Sequence, residues 1–202
     1  MVQSKLPISF YERYTTYELA QQLLGCTLIH ESAEGITSGI IVETEAYLSD
    51  DPACHAYQKI TPRTAPMYDA AGHMYVYQIY GIHQCFNVVS NRKGLGEAVL
   101  IRALQPKSGI ELMKHRRFKN HPQKMEQCKE IELCNGPAKL VVAMGISKIE
   151  HNHQSLVDSQ IYIQARKCPE PSIIRTTRIG INVGKHLEFR YYIEGNPFVS
   201  KL

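Results

Sequence analysis

Short segments rich in β-branched and aromatic residues alternate with tight turns in this sequence, and no other feature constrains the fold as strongly. Four of these segments occupy residues 36–48, 73–80, 85–91 and 97–104. A parallel pair of strands needs a crossover of roughly a dozen residues, so the short links between the last three segments join antiparallel neighbours. We therefore predict a mainly antiparallel sheet.

The same pattern predicts two hairpins. The first joins residues 26–30 to the long segment 36–48. The second joins residues 73–80 to residues 85–91 through a short link and places Tyr80 at or beside its tip. We expect this second hairpin to protrude from the sheet.

Helical patterns flank the strand segments. Thr15 and Glu18 form a capping-box pattern ahead of apolar residues at helical spacing, and Gly25 ends that segment. Other elements are predicted as helices at residues 110–117, from Pro137 onward and over a short stretch that carries His55, and as strands in the tail, residues 178–199. The combination predicts an α+β fold, a single domain over residues 1–202 whose curved sheet is flanked by helices.

Composition excludes several classes of protein. Of the 202 residues, 44% are hydrophobic and 21% are charged, with a formal net charge of +4; disordered and collagen-like chains differ from this. No apolar run approaches the roughly 20 residues of a membrane-spanning helix, and no secretory signal is visible at the N-terminus. We expect a cytoplasmic protein without membrane association, at the nucleoid in a bacterium or in the nucleus of a eukaryote.

The cysteines predict reduced thiols. Their positions are Cys26, Cys54, Cys85, Cys128, Cys134 and Cys168, without a C-x-x-C pair. A metal held by Cys54, His55, His83 and Cys85 is the alternative, but scattered buried thiols are the simpler interpretation. We expect no metal.

One arginine and two glutamates on otherwise apolar strands suggest the polar floor of a pocket. Arg102 lies in an otherwise apolar strand, so its guanidinium needs a partner if it is buried. Glu43, Glu45 and Tyr47 share one face of the preceding long strand by the two-residue period. A structural ion pair, or a solvated face for both glutamates, is the alternative interpretation of this spacing.

Tyrosines and basic residues fit a surface for nucleic acid. Tyr75 and Tyr77 face one way, and aromatic faces beside a carboxylate in a basic protein are what stacking of a nucleobase requires. A basic stretch comprises Lys107, Lys114, Arg116, Arg117, Lys119, Lys124 and Lys129, against Glu111 and Glu126. This excess could neutralise phosphates. Ordinary strand packing for the tyrosines and a solvated face for the basic residues are the alternatives.

Eight ordered motifs carry a resemblance to a known family. They are Val42-Glu43-Thr44-Glu45-Ala46-Tyr47, Ala53-Cys54-His55, Thr61-Pro62-Arg63, Tyr75-Val76-Tyr77-Gln78-Ile79-Tyr80-Gly81, Cys85-Phe86-Asn87, Val99-Leu100-Ile101-Arg102-Ala103-Leu104, Gly136-Pro137-Ala138-Lys139-Leu140 and Gly195-Asn196-Pro197-Phe198-Val199-Ser200. From about Phe10 to Val199 the chain resembles the 3-methyladenine (alkyladenine) DNA glycosylases. The resemblance implies excision of damaged purines, alkylated or deaminated, from duplex DNA, with base flipping, an abasic product and no metal or organic cofactor.

The resemblance also implies roles for residues at matching positions. Glu45 takes the place of the general base that activates water, and Arg102 that of its partner. Residues that enclose the flipped base match Tyr47, His55 and Tyr77, and Asn87 matches an amide that helps to exclude guanine. Tyr80 matches the side chain that fills the gap in the DNA stack, and beside it Ile82 and His83, both expected to contact DNA, stand where relatives often carry a Met and an aromatic residue.

Simple chemistry agrees with these roles. A purine alkylated on a ring nitrogen is cationic, which weakens its glycosidic bond and favours aromatic walls. Arg102 would help to keep Glu45 ionised. Neutral lesions need a proton on the leaving base, and the sequence reveals no donor.

Two other functions remain open from the sequence. One is a bifunctional glycosylase and lyase in which Lys139 attacks the sugar as a Schiff-base nucleophile. The other is a module that binds damaged DNA without catalysis. We expect a monomer that acts on double-stranded DNA with damaged purines and passes its product to enzymes that repair abasic sites.

Overall fold

One curled antiparallel sheet contains the predicted strands, together with two strands at residues 161–164 and 173–176 that the sequence did not indicate, in a computed structural model that describes residues 4–201. Within these residues the strands are β1 Thr27–Ser32, β2 Gly35–Tyr47, β3 Met74–Ile79, β4 His83–Val89, β5 Ala98–Ser108, β6 Ile161–Gln164, β7 Ile173–Thr176 and β8 Arg190–Ile193. The main path runs β3-β4-β5-β2-β1-β6, and β8 joins β7 to β2. The order follows from the short links, because β1–β2, β3–β4 and β4–β5 are each sequential neighbours.

The long strand β2 organises the sheet. One edge of β2 pairs with β5 from Ser38 to Tyr47, while the other edge pairs first with β1 and then, from Glu43 to Glu45, with β8. The register with β5 shifts on both sides of Glu43, which marks a bulge that bends the strand. This change of partners brings β5 and β8 to the part of β2 that carries its two glutamates.

Helices cover the sheet within residues 4–201. They are α1 Ile8–Arg13, α2 Thr16–Gln22, α3 Ile110–Phe118, α4 Pro122–Gln127, α5 Pro137–Met144 and α6 Lys148–His151, with short 3-10 turns at Ala65–Tyr68 and Glu130–Glu132. The capping box is confirmed, since the Glu18 carboxylate accepts from the Thr15 N–H at 2.9 Å and from its hydroxyl at 2.7 Å. None of the helices in this part of the chain has the length and apolar character needed to cross a membrane.

The hydrophobic core has a large and a small part. The large part joins α2 and α5 to the sheet through fully buried residues such as Leu19, Leu140 and Phe86. The small part lies around Cys54, Met67 and Tyr75, with half-buried tyrosines packed against it. The α+β prediction is confirmed.

The prediction of a short helix that carries His55 is wrong. Residues 49–58 form a succession of turns and bends. Asp51 does not start a helix, because its carboxylate accepts from the Ala53 N–H at 3.0 Å and pairs with Arg178, far along the chain. In the tail, 178–199, the described backbone contains one strand, β8, and the rest is irregular.

Candidate active site

A cavity of about 320 Å³ lies beside strands β2 to β5. Its walls come from the sheet, from the turns around His55, from the start of α5 and from the irregular segment after β7. The lining includes Tyr47, His55, Tyr75, Tyr77, Tyr80, Asn87, Arg102, Pro137, Ile179, Gly180 and Ile181. Seven of the nine site residues expected from the sequence thus lie in or against one cavity: six line it, and Glu45 lies behind its wall.

Aromatic rings form one wall of the cavity. Tyr75 and Tyr77 stack with ring centres 5.2 Å apart, as their shared strand face predicts. His55 meets Tyr77 edge to face at 4.5 Å, and its Nδ1 lies 3.0 Å from the Tyr75 hydroxyl. Burial, with the positive charges of Arg63 and Lys59, lowers the pKa of His55 to about 4. His55 is therefore neutral at neutral pH.

Glu45 lies behind the cavity wall with no exposed surface. Its Oε1 accepts from the Ile179 backbone N–H at 2.7 Å and lies 3.3 Å from Arg102 Nη1. Its Oε2 accepts from the Tyr47 hydroxyl at 2.8 Å. Burial raises the pKa of Glu45, and Arg102, the Ile179 N–H and the Tyr47 hydroxyl act in the opposite direction. The carboxylate is thus fixed from three sides.

Glu43 has a structural role beside the site. Its Oε1 accepts from Arg102 Nε at 3.0 Å and from Arg190 Nε at 2.7 Å, while Oε2 accepts from the Ser200 N–H at 2.7 Å. Glu43 and Glu45 both contact Arg102, as their shared face of β2 predicts. The structural ion pair that the spacing left open is therefore real for Glu43, and the Ser200 contact gives the C-terminal motif a role in holding it.

Asn87 is buried in the wall beside the tyrosines. Its Nδ2 donates to the backbone oxygen of Tyr75 at 3.0 Å, across the β3–β4 pair. This hydrogen bond fixes the orientation of the side-chain amide, which lines the cavity.

The turn between β3 and β4 carries the three residues expected to contact DNA. Tyr80 is 88% exposed, lines the cavity mouth and has a positive φ of 50°. Ile82 is 76% exposed, and His83, opposite Ile79 at the end of the ladder, is exposed as well. Ile82 and His83 lie outside the lining of the cavity.

Sequence reasoning missed the segment after β7. The Ile179 N–H that binds Glu45 is a backbone group, so no side-chain pattern marks it. Arg178 was also missed, although its guanidinium lies 4.7 Å from the centre of the Tyr47 ring. No sequence pattern signals it, because its burial depends on Asp51, which is distant in sequence.

A second cavity, of about 520 Å³, adjoins the first. It shares the walls at His55 and Gly180 and adds Lys59 and Arg63. The Arg63 guanidinium also lies 5.3 Å from the centre of the Tyr77 ring. Positive charge is therefore concentrated at the mouth of the aromatic cavity.

Two arginines of the basic stretch between Lys107 and Lys129 are held by protein groups. Arg116 donates to Glu34 at 2.9 Å and to Ser32 at 2.8 Å, and Arg117 donates to the Leu133 oxygen at 3.0 Å. These arginines contribute to folding contacts rather than to a free cationic surface.

Lys139, the candidate Schiff-base nucleophile, is exposed, donates to Asn135 Oδ1 at 2.7 Å and does not line the cavity.

The cysteines, all in the described part of the chain, are free thiols. Cys85 lines the cavity beside Tyr77, and Cys54 is buried and lines the second cavity. Among residues 4–201 no group of three or more His, Cys, Asp or Glu side chains is arranged to hold a metal ion.

Comparison with known proteins assigns the chain to a class. The family model described as Methylpurine-DNA glycosylase matches residues 9–197. Relatives with the assigned name 3-methyladenine DNA glycosylase occur in Methanoculleus marisnigri (44% identity, 97% of this chain and 98% of the relative), Francisella tularensis (46%, 94% and 95%) and Carboxydothermus hydrogenoformans (44%, 97% and 98%). The chain is thus a DNA glycosylase, a hydrolase that acts on N-glycosyl bonds. It belongs to the methylpurine-DNA glycosylase family.

Proposed function

We propose that this protein excises alkylated and deaminated purines from double-stranded DNA by hydrolysis, with Glu45 as the general base for the attacking water. The observation that carries the proposal is a buried carboxylate held by Arg102, Tyr47 and the Ile179 N–H, three groups from residues that line an aromatic cavity. Family membership supports a DNA glycosylase, and the geometry gives that activity a chemical mechanism.

Access to the glycosidic bond requires base flipping. The bond is hidden in the duplex, and extrusion of the nucleotide costs a few kcal/mol. A cavity of about 320 Å³ with aromatic walls can receive one base. Tyr80, at the mouth of that cavity, fills the space that the base leaves in the stack.

The walls favour a cationic base. Tyr47 and Tyr77 offer ring faces to a purine that carries positive charge after alkylation. His55 does not oppose that charge, because its lowered pKa of about 4 leaves it neutral. Asn87 limits the space and hydrogen bonding available to a normal guanine.

Glu45 has hydrogen-bond accepting capacity left for a water molecule. Among the described groups its Oε2 accepts one hydrogen bond, from Tyr47, so a second lone pair remains to take a proton from water. Arg102 offsets the cost of keeping the carboxylate ionised. A negative charge here also stabilises the positive charge that develops on the sugar as the base leaves.

The reaction is monofunctional in this proposal. A Schiff-base mechanism needs an amine at the sugar, and Lys139 points to Asn135 outside the lining of the cavity. The protein acts as a monomer, releases the free base and leaves an abasic site, which other enzymes must then process.

The test is release of free base from duplexes that each carry one lesion. A panel of 3-methyladenine, 7-methylguanine, ethenoadenine and hypoxanthine should give base release from at least the cationic lesions. Borohydride added during turnover should trap no covalent complex. Binding without release would support a non-catalytic module, and trapping would support a lyase; either result contradicts the proposal.

A further inference from the structure

One buried ion pair lies beside the groups used in the proposed reaction without belonging to them. Arg178 Nη2 donates to Asp51 Oδ1 at 3.0 Å, and Nη1 pairs with Oδ2. The two side chains are 0% and 1% exposed. Because desolvation makes a buried ion pair a poor source of stability, stability alone does not explain why this pair lies beside the cavity.

The pair joins two walls of the cavity. Arg178 Nη1 also donates to the Ala46 backbone oxygen at 3.0 Å, and the guanidinium covers the Tyr47 ring. Asp51 accepts from the Ala53 N–H, at the start of the turns that carry His55. Strand β2 and the His55 turns are therefore fixed to a common arginine.

The residue after Arg178 directly contacts Glu45, the proposed general base. Ile179 donates its N–H to Glu45 at 2.7 Å, and Gly180 and Ile181 line both cavities. In this described stretch, residues 177–189 contain no helix or strand that could fix the N–H by a backbone ladder. Its position therefore depends on side-chain anchors, of which the adjacent Arg178 is buried and bidentate.

We infer that Arg178, clamped by Asp51, is a positioning residue that holds the Ile179 N–H on Glu45 and aligns Tyr47 and His55 for base excision. This inference rests on the proposed function of Glu45. Arg178 has no direct contact with the substrate in this role; it acts through the backbone of Ile179 and the ring of Tyr47.

Replacement of Arg178 by lysine distinguishes the effect of its positive charge from the effect of its planar geometry. Arg178→Lys keeps the positive charge but loses the planar fork that spans Asp51 and Ala46. A carboxylate that loses an N–H donor has a higher pKa. The acidic limb of the pH–rate profile for base release should therefore move to higher pH. Misalignment of Glu45, Tyr47 and His55 should lower the rate of base release more than it lowers DNA affinity.

The experiment measures single-turnover base release against pH, lesion-DNA affinity and thermal unfolding for wild type, Arg178→Lys and Asp51→Glu. Both variants keep both charges, and rates are taken well below each melting temperature. We expect release to slow about tenfold or more, affinity to stay within about threefold and the acidic limb to shift upward. Arg166→Lys is the control, because Arg166 donates to Gln22 and Leu24, which line neither cavity.

The outcomes separate the two proposals. If the wild-type protein binds lesion DNA but releases no base, the proposed function fails and the positioning role falls with it. If the wild type is active and both variants keep its rate and its acidic limb, only the positioning role is overturned. Slowing that merely follows the unfolded fraction, with an unmoved limb, also overturns it, because Arg178 would then serve stability alone.

Discussion

Glu45 and Glu43 are two residues apart and both buried, yet their partners differ in kind. Glu43 accepts from Arg102 and Arg190 on one oxygen and from the Ser200 N–H on the other, and Arg190 and Ser200 lie outside the lining of the cavity. Glu45 is held by an arginine, a backbone N–H and a tyrosine hydroxyl, all from residues that line the cavity. Chemistry is therefore expected of Glu45 and structural support of Glu43.

Glu45→Gln should slow base release by at least about 100-fold while lesion-DNA binding stays largely intact, because general-base catalysis contributes about two to four powers of ten. Single-turnover release and equilibrium binding measure the two effects separately. Glu43→Gln is a poor control because it would remove the carboxylate that pairs with the buried Arg190. Glu97→Gln is better matched, since Glu97 is buried, accepts from Ser49 at 2.9 Å and lines neither cavity. Near wild-type release by Glu45→Gln would remove Glu45 from the mechanism.

His55 should make stability depend on pH. Its pKa is about 4 in the folded protein and 6.5 ordinarily, so between these values the unfolded chain binds a proton that the folded protein does not. This contribution is present above about pH 6.5 and is lost as the pH falls toward 4. Between about pH 7 and about pH 5 the free energy of unfolding should fall by about 1 to 2 kcal/mol on account of His55.

Denaturant unfolding of wild type and His55→Gln at those two pH values measures this contribution as the difference between the two pH dependences. The exposed Asn120 provides the control variant, Asn120→Gln, which should keep the wild-type dependence because neither side chain titrates. An identical pH dependence in His55→Gln would mean that His55 titrates alike in both states.

At the scale of elements, the β3–β4 turn combines strain with exposure. Tyr80 and Gly81 both have positive φ, and the Ile82 N–H donates back to the Ile79 oxygen at 3.3 Å. A bulky residue with positive φ is uncommon, and asparagine or glycine would cost less. The turn thus keeps an aromatic side chain where backbone preference favours a small one, which fits a side chain used for binding.

Tyr80→Asn tests that use without straining the turn. The melting temperature should barely change, because Tyr80 is 88% exposed. Base flipping should be weakened by about 1 to 3 kcal/mol, the value of one aromatic stack, as reported by 2-aminopurine fluorescence beside the lesion. Tyr17→Ala, at an exposed tyrosine on α2, should leave flipping unchanged. A large loss of stability with normal flipping would instead make Tyr80 a packing residue.

Local patterns predicted most of the elements, and distant contacts decided the rest. The β-branched runs and the Thr15–Glu18 pattern were sufficient for β2 to β5 and for α2, because hairpins and caps depend on residues close in sequence. The turns around His55 were misread as a helix because Asp51 bonds to Arg178, a partner 127 positions away. The pairing of Arg102 with both glutamates followed from adjacent strands, whereas the Ile179 N–H carries no sequence signal.

At the scale of the molecule, positive charge is unevenly placed. The formal net charge is only +4, and Arg102, Arg178 and Arg190 are buried in ion pairs. The cations at the mouth of the aromatic cavity, Lys59 and Arg63, are exposed. Binding of the DNA backbone should therefore depend on this mouth more than on the basic stretch between Lys107 and Lys129, whose Arg116 and Arg117 are held by protein groups.

Salt dependence of lesion-DNA binding tests this distribution. The logarithm of the affinity should fall linearly with the logarithm of the salt concentration, and each lost phosphate contact should reduce the slope by about 0.9. Lys59→Gln should show a reduction of that size. Lys5→Gln is the matched control, because Lys5 bridges to β6 at the edge of the sheet opposite β3 and should leave the slope unchanged. If Lys59→Gln keeps the wild-type slope while Lys114→Gln or Lys124→Gln reduces it, the basic stretch on α3 and α4, and not the cavity mouth, contacts the DNA backbone.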